Sequence, residues 1–256
     1  MLPDPWLLAL LCLAAAFAGC VDAVVGGGGL IQIPALFSAF PNTAPATLFG
    51  TNKCVSVIGT ASAGVRYVRR VRLPWRTVIP ATLMAFLFSY AGAAAVAWIP
   101  KGVMRPLMLF LLIAVTAYTI YNKKMGQSHN PTHSGAGQLF WASLLGGGIG
   151  FYDGFFGPGT GSFLLFLFVR FFGFDFLHAS AASKVVNVAT NLAAMAYFLP
   201  HGHWFPWLAL WMALANITGA FVGTKLALQH GSVFVRKAFI VVASVLIVRF
   251  AWDLWH

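Results

Sequence analysis

Two lysines, Lys53 and Lys184, lie inside apolar stretches of membrane length and stand 131 positions apart. An ionisable side chain within a bilayer is costly, so its default reading is a functional one. Lys53 follows Thr51 and Asn52, and Lys184 follows Ser183. Ser56 and Thr60 in the first stretch, and Asn187 and Asn191 in the second, continue the lysine's helical face at spacings of three or four. An ammonium flanked by hydroxyls and amides can replace the water that a small oxyanion gives up on leaving solution. Two other readings compete. Each lysine could form a buried ion pair with Asp22 or Asp153, or it could snorkel to the interface. Anion contact and ion pairing can also alternate within one transport cycle.

The same offset carries Asp22 onto Asp153, Gly26 onto Gly157, Gly28 onto Gly159, Gly92 onto Gly223 and Arg105 onto Arg236, without a gap. The chain therefore reads as a duplicated unit whose repeated polar residues meet at a shared centre. Two glycine-rich breaks, Gly26–Gly29 and Gly157–Gly161, interrupt the apolar runs at matched places. A helix that restarts inside the membrane presents free N–H groups and a partial positive charge, which together make an anion site. Gly28, Gly29, Gly159, Thr160 and Gly161 are the candidates for those contacts. The competing reading of a break is a kink that allows close packing. Asp22 and Asp153, just before the breaks, are candidate proton carriers. They could instead cap backbone amides there, a role the sequence slightly favours.

The elements that must position these groups are helical. The chain has 256 residues, 60% of them hydrophobic and 8% charged, with a mean hydropathy of +0.83. Soluble domains carry about 25% charged residues, so this is the composition of an all-α polytopic membrane protein. Apolar runs mark about eight spans, near 6–25, 46–65, 76–98, 103–121, 138–156, 178–199, 204–229 and 233–252. The count reaches eight to ten if the short stretches Leu30–Phe40 and Gly161–Phe172 are included as half-helices. Residues 1–121 form a first repeat, 122–137 a polar linker and 138–256 a second repeat. Whether the halves run parallel or inverted stays open. The loop charges point both ways, with Lys225, Arg236 and Lys237 favouring inversion and Lys123 and Lys124 opposing it. Arg66, Arg69, Arg70, Arg72 and Arg76 crowd one connection, which places that loop in the cytoplasm. Trp6, Trp75, Trp98, Trp204 and Trp255 suit interfacial anchoring.

Several function classes fall away. The N-terminal run ending at Cys20 imitates a lipoprotein signal, but its first residues carry Asp4 and no Lys or Arg, so it reads as a retained helix. Cys12, Cys20 and Cys54 lack metal-ligand spacing. The histidine pairs His129 with His133 and His201 with His203 read as solvated, so no metal and no cofactor is expected. The net charge of +11 suits anionic lipid head groups, and no soluble module presents it to nucleic acid. No strand precedes the glycine runs, so a dinucleotide fingerprint fails its context, and no catalytic constellation appears. The chain does not read as an enzyme.

The run GGGGLIQIPAL, then Gly50-Thr51-Asn52-Lys53, then GFYDGFFGPGTGSF with AASKVVNVATN, resembles the sulfite exporter TauE/SafE family, also called the four-toluene sulfonate uptake permease family. The resemblance covers essentially the whole chain. It implies two repeats of membrane helices and transport of sulfite, organosulfonates or related carboxylate anions, probable export included, across the bacterial inner membrane. It also carries over Lys53, Lys184, Thr51, Asn52, Ser183 and Asn187 as binding positions. Pro158 stands where the first break has Gly27, so the two anion ends need not be equivalent. The expected partners are a small anionic substrate and membrane lipids, with a homodimer left open. The rival reading is a membrane-embedded scaffold without a transported substrate, which predicts a tightly packed centre with each lysine paired to an aspartate.

Overall fold

In the computed structural model, which describes residues 4–96 and 135–255 together with Ile113, Ala117 and Tyr121, eight helices and no strands occur among the described residues. They are α1 (Pro5–Val25), α2 (Gly29–Ala39), α3 (Pro45–Arg70), α4 (Trp75–Ala95), α5 (Gly135–Phe155), α6 (Thr160–Phe172), α7 (Phe176–Phe198) and α8 (Pro206–Trp255), the last bent at Gly231. Prolines open α1 and α3, where a missing N–H costs nothing. Asp175 caps α7 by accepting the His178 N–H at 2.8 Å. The expected span 103–121 and most of the linker lie outside the described residues. The other seven expected spans coincide with helices, two of them joined as α8. By length and composition α1, α4 and residues Pro206–Val245 are able to cross a membrane. Large apolar side chains such as Leu13, Phe17, Leu87 and Trp211 cover their outer faces, as lipid contact requires.

The helix directions settle how the halves are related. Leu36 of α2 shares an apolar cluster with Leu11 of α1 and Leu48 of α3, while Gly28 lies against Ala18 and Asp22. So α2 folds back along α1 and returns to the side on which α1 begins. On α3 and α7, Phe49 clusters with Phe198, Gly64 meets Lys184 and Tyr67 meets Ser180. The sum of the paired numbers stays nearly constant, so these two helices are antiparallel. They are also the helices that the 131-residue offset superimposes. Equivalent helices that run in opposite directions make the halves inverted, as Lys225, Arg236 and Lys237 suggested.

The ends of these helices sort the charge. Arg69 and Arg70 in the last turn of α3, Arg72 after it and Arg76 in the first turn of α4 are exposed, on the face where α7 begins and α8 bends. Arg66 does not belong to that exposed cluster, because its guanidinium lies 4.6 Å over the ring of Phe221.

Close crossings hold the bundle together. Helix α1 packs on α8, and α5 packs on α4. A Cβ on Gly19 would strike the carbonyl of Asn216, and its offset equivalent on Gly150 would strike Ala85. Gly223 against Cys20 and Gly92 against Phe151 repeat the arrangement. Lipid is as apolar as a side chain, so backbone proximity takes the place of a hydrophobic drive. Gly150→Ala should therefore destabilise the purified protein by about 1–3 kcal/mol through overpacking. Gly148→Ala, two residues away on an open face, should be neutral or slightly stabilising. Thermal unfolding of the two variants in detergent checks the contrast.

Candidate functional site

The end of α1 is unwound without leaving its carbonyls unpaired. The Asp22 carbonyl accepts the Gly26 N–H at 2.8 Å, Ala23 the Tyr67 hydroxyl at 2.9 Å, Val24 the Ser180 hydroxyl at 3.0 Å and Val25 the Ser162 hydroxyl at 2.9 Å. Gly26 itself accepts the Ser162 N–H at 3.2 Å. Every donor but the first comes from another helix, and Ser162 and Ser180 come from the second half. Such satisfaction is what permits irregular backbone at membrane depth. The second break is held by its own residues. The Tyr152 hydroxyl donates to the Pro158 carbonyl at 2.7 Å, and the Thr160 hydroxyl to that of Gly157 at 2.8 Å.

The two breaks meet, as their matched positions suggested, but they touch rather than line a polar cavity. A Cβ on Gly26 would overlap the Gly161 carbonyl group, and one on Gly161 would overlap Gly26. Gly26 has φ +81°, a left-handed turn that glycine adopts freely. Several N–H groups at the half-helix ends are already bonded. The Thr160 N–H is bonded to Gly157, Ser162 to Gly26, Leu30 to Gly27, and both Ile31 and Gln32 to Gly28.

The lysines occupy the ion pairs that the sequence had as the lesser reading. Lys53 Nζ lies 2.7 Å from Asp153 Oδ2, with side chains only 3% and 2% exposed. It is an ion contact rather than a well-directed hydrogen bond. The ammonium also borders Gly157, so this pair sits against the second break. Lys184 donates to Asp22 Oδ2 at 3.4 Å, and the Thr60 hydroxyl donates to the same oxygen at 3.0 Å. Here the lysine is fully buried and the aspartate 14% exposed. Neither aspartate has the amide-capping role that the sequence slightly favoured. The pairing is crossed, because each lysine takes the aspartate of the other half.

The lysine backbones stand at different levels of α3. Lys184 lies against Gly64, which is 11 residues beyond Lys53 on α3. At 1.5 Å per residue their backbones sit about 16 Å apart along that helix, while the Lys184 ammonium reaches back to the Asp22 oxygen that Thr60 also holds. The other candidates divide. Thr51 accepts the Phe205 N–H at 2.9 Å and donates to Thr47, which ties down the start of α8. Ser183 donates back to Ser180. Asn187 accepts from Thr190 at 3.3 Å. Asn191 is buried and Ser56 half-buried on the lysine faces. Asn52 is buried with its Oδ1 unpaired. Gly29 borders Pro158, Gly28 borders Asp22, and Gly159 has φ +82° at the start of α6.

Sequence reasoning passed over Gln32, Tyr67, Tyr152, Ser162 and Ser180. Gln32 is buried with an unpaired Oε1, one turn from Leu36, just as Asn52 lies one turn from Leu48. A lone amide in an apolar half-helix was the signal available for it.

A family model described as Sulfite exporter TauE/SafE matches residues 11–250. The chain is 36% identical over 250 residues to a probable membrane transporter protein, ORF9, of Sinorhizobium, covering 98% of this chain and 94% of that one. It is 32% identical over 250 residues to the probable membrane transporter protein YfcA of Escherichia coli K12, covering 98% and 91%. A probable membrane transporter protein of Haemophilus influenzae is 32% identical over 247 residues, covering 96% and 95%. No solved structure matches the chain.

Removing one member of a buried pair strands the other charge, which costs about 3–5 kcal/mol. Lys53→Met should therefore lower the unfolding temperature sharply, and adding Asp153→Leu should recover most of the loss. Lys184→Met should cost less, because Asp22 retains some water and Thr60. A double-mutant cycle on thermal unfolding in detergent measures both couplings.

Proposed function

The chain belongs to the sulfite exporter TauE/SafE family of membrane transporters, and from that premise we propose that it moves small sulfur-containing or carboxylate anions, such as sulfite or organosulfonates, across the bacterial inner membrane. What carries this reading is the family match over residues 11–250 together with relatives that are probable membrane transporter proteins, and the crossed Lys–Asp contacts beside touching glycine breaks supply its candidate site. A carboxylate held on a buried ammonium is itself a model of the substrate. A sulfonate, sulfite or carboxylate group offers the lysine the same oxygens and takes the aspartate's place when the breaks part. Asn52 and Gln32, with buried amide oxygens left unpaired, supply adaptable polar contacts near the first break. One half rocking against the other alternates access, as in other transporters built from inverted repeats. For an anion moving alone, the inside-negative potential assists export by about 2.3 kcal/mol per charge per 100 mV.

The second reading is the scaffold, and the same closed pairs favour it. It differs in one measurable respect, since a scaffold passes no anion.

The purified protein in proteoliposomes should carry at least one of sulfite, thiosulfate, sulfoacetate and lactate above the rate of empty vesicles. Lys184→Gln should reduce that flux at least tenfold at matched reconstitution, and Lys53→Met with Asp153→Leu should do the same without the fold loss of the single variant. Absence of flux for all four anions would leave the scaffold standing.

The arginine-bearing face should be cytoplasmic by the positive-inside rule. A single cysteine introduced beside Arg72, in a chain lacking Cys12, Cys20 and Cys54, should resist a membrane-impermeant thiol reagent on intact cells and react after lysis. Neutralising Arg69, Arg70, Arg72 and Arg76 should disturb insertion but leave the apparent KM of inserted protein within about twofold. Labelling from outside would reverse this topology.

A further inference from the structure

The chain has five acidic residues in all: Asp4, Asp22, Asp153, Asp175 and Asp253. Asp4 precedes α1, Asp175 caps α7 and Asp253 lies near the chain end. Asp22 and Asp153 are the acids that the buried lysines hold. The two ion pairs together hold two ammonium groups and two carboxylates, with a net charge of zero.

An anion that binds either lysine disturbs this balance. It displaces the carboxylate and adds one negative charge to a site from which water is excluded. An unpaired carboxylate at that depth carries a desolvation penalty of several kcal/mol. Among the described residues no third lysine is buried, and the other buried lysine holds the other aspartate. The neutral solution is a proton.

Resting on the transport reading above, we propose that Asp22 and Asp153 are proton-binding sites, and that each substrate anion crosses together with one proton per carboxylate it displaces. The step balances. Lys⁺·Asp⁻ plus X⁻ plus H⁺ becomes Lys⁺·X⁻ plus AspH, with the ion contact exchanged and the proton added to the freed carboxylate oxygen. The charge within the site is zero before and after.

The surroundings leave these two carboxyls as the groups that exchange the proton. Asp22 is faced by Lys184 from α7 and by Thr60 and Tyr67 from α3. Beside it α2 presents Gly28, and α8 presents Asn216, Ala220 and Thr224 toward α1, none of them titratable. Asp153 is faced by Lys53 from α3, by its neighbour Tyr152 and by the Gly157 break, while α4 presents Ser89 beside it. The Tyr67 and Tyr152 hydroxyls are committed to backbone carbonyls. Asp22 is the partly exposed carboxyl in this conformation, so it exchanges its proton first. The inverted halves give Asp153 that role in the opposite-facing state.

Proton coupling changes what drives the flux. For a monoanion with one proton, no net charge moves and the membrane potential drops out. A pH gradient then accumulates the anion on the alkaline side by about tenfold per unit at equilibrium. The test uses the full-length protein in proteoliposomes with a pH-sensitive dye trapped inside. Lactate, sulfoacetate, thiosulfate and sulfite are each applied under a pH gradient alone and under a potassium–valinomycin potential alone. Coupling predicts dye-reported proton entry in step with anion entry, acceleration by an alkaline interior, and for lactate no response to potential. Asp22→Asn keeps the shape of the protonated carboxyl but cannot release a proton. Its remaining flux should lose the pH-gradient acceleration and become driven by potential, a change that a merely structural role would not produce. Anion flux that follows potential and ignores the pH gradient in the unaltered protein would overturn the coupling while leaving the transport reading intact. No flux of any of the four anions would overturn both.

Discussion

Everything in this bundle has to accommodate two lysines that cannot reach water. The chain has few acids with which to neutralise them, and the ones in reach sit at the ends of α1 and α5. Each lysine is compensated from the half to which it does not belong, Lys53 by Asp153 and Lys184 by Asp22. The halves therefore cannot separate without stranding charge in a medium that penalises it by several kcal/mol per ion. A contact between like halves through apolar surface would have no such selectivity. The ion pairs fix which helix faces which.

The glycines follow from the same requirement. To bring Asp22 within reach of Lys184, α1 has to lie close to α3 and α7 where its backbone unwinds. Its last carbonyls are then satisfied by Tyr67, Ser180 and Ser162, one donor each. Such stitching works only if the other neighbours approach to backbone distance. Gly19, Gly92, Gly150 and Gly223 allow this at the α1–α8 and α4–α5 crossings, and Gly26 with Gly161 allow it between the breaks. A methyl group at any of these places would push apart the surfaces that bring the charges together.

Much of this was legible in the chain. The apolar runs located the helices, and the offset named the lysines, aspartates and glycines that matter. The pairing was not legible, because an offset along the sequence is the same whether the second copy is translated or inverted in space. Only the antiparallel contacts of α3 and α7, Phe49 with Phe198 and Tyr67 with Ser180, distinguish the two. Inversion also explains why the lysine backbones stand at different levels and why each lysine finds the other half's aspartate. The contact between the breaks was hidden for a different reason. Glycine licenses an open cavity and a close backbone contact equally well, and the serines and tyrosine that decide between them look unremarkable in the sequence. Thr51 and Ser183 show the same limit, since a hydroxyl beside a lysine serves the backbone as readily as a ligand.

The residual asymmetry bears on how such a protein moves. A strict two-fold relation would make the two ion pairs identical, yet one is 2.7 Å long and dry while the other is 3.4 Å long, partly exposed and braced by Thr60. An inverted pair of halves reaches its opposite-facing state when each half takes on the other's conformation, so the tight and loose pairs exchange places. The sequence does not let that exchange be between equals. Thr60 corresponds to Asn191, and Gly27 to Pro158. Gly159 begins α6 at φ 82° where Gly28 begins α2 at φ −57°. The first break is stitched by residues of both halves and the second by its own Tyr152 and Thr160. The two states therefore differ in energy through named contacts. Asymmetry of this kind lets one side of the membrane be the resting side without any further device.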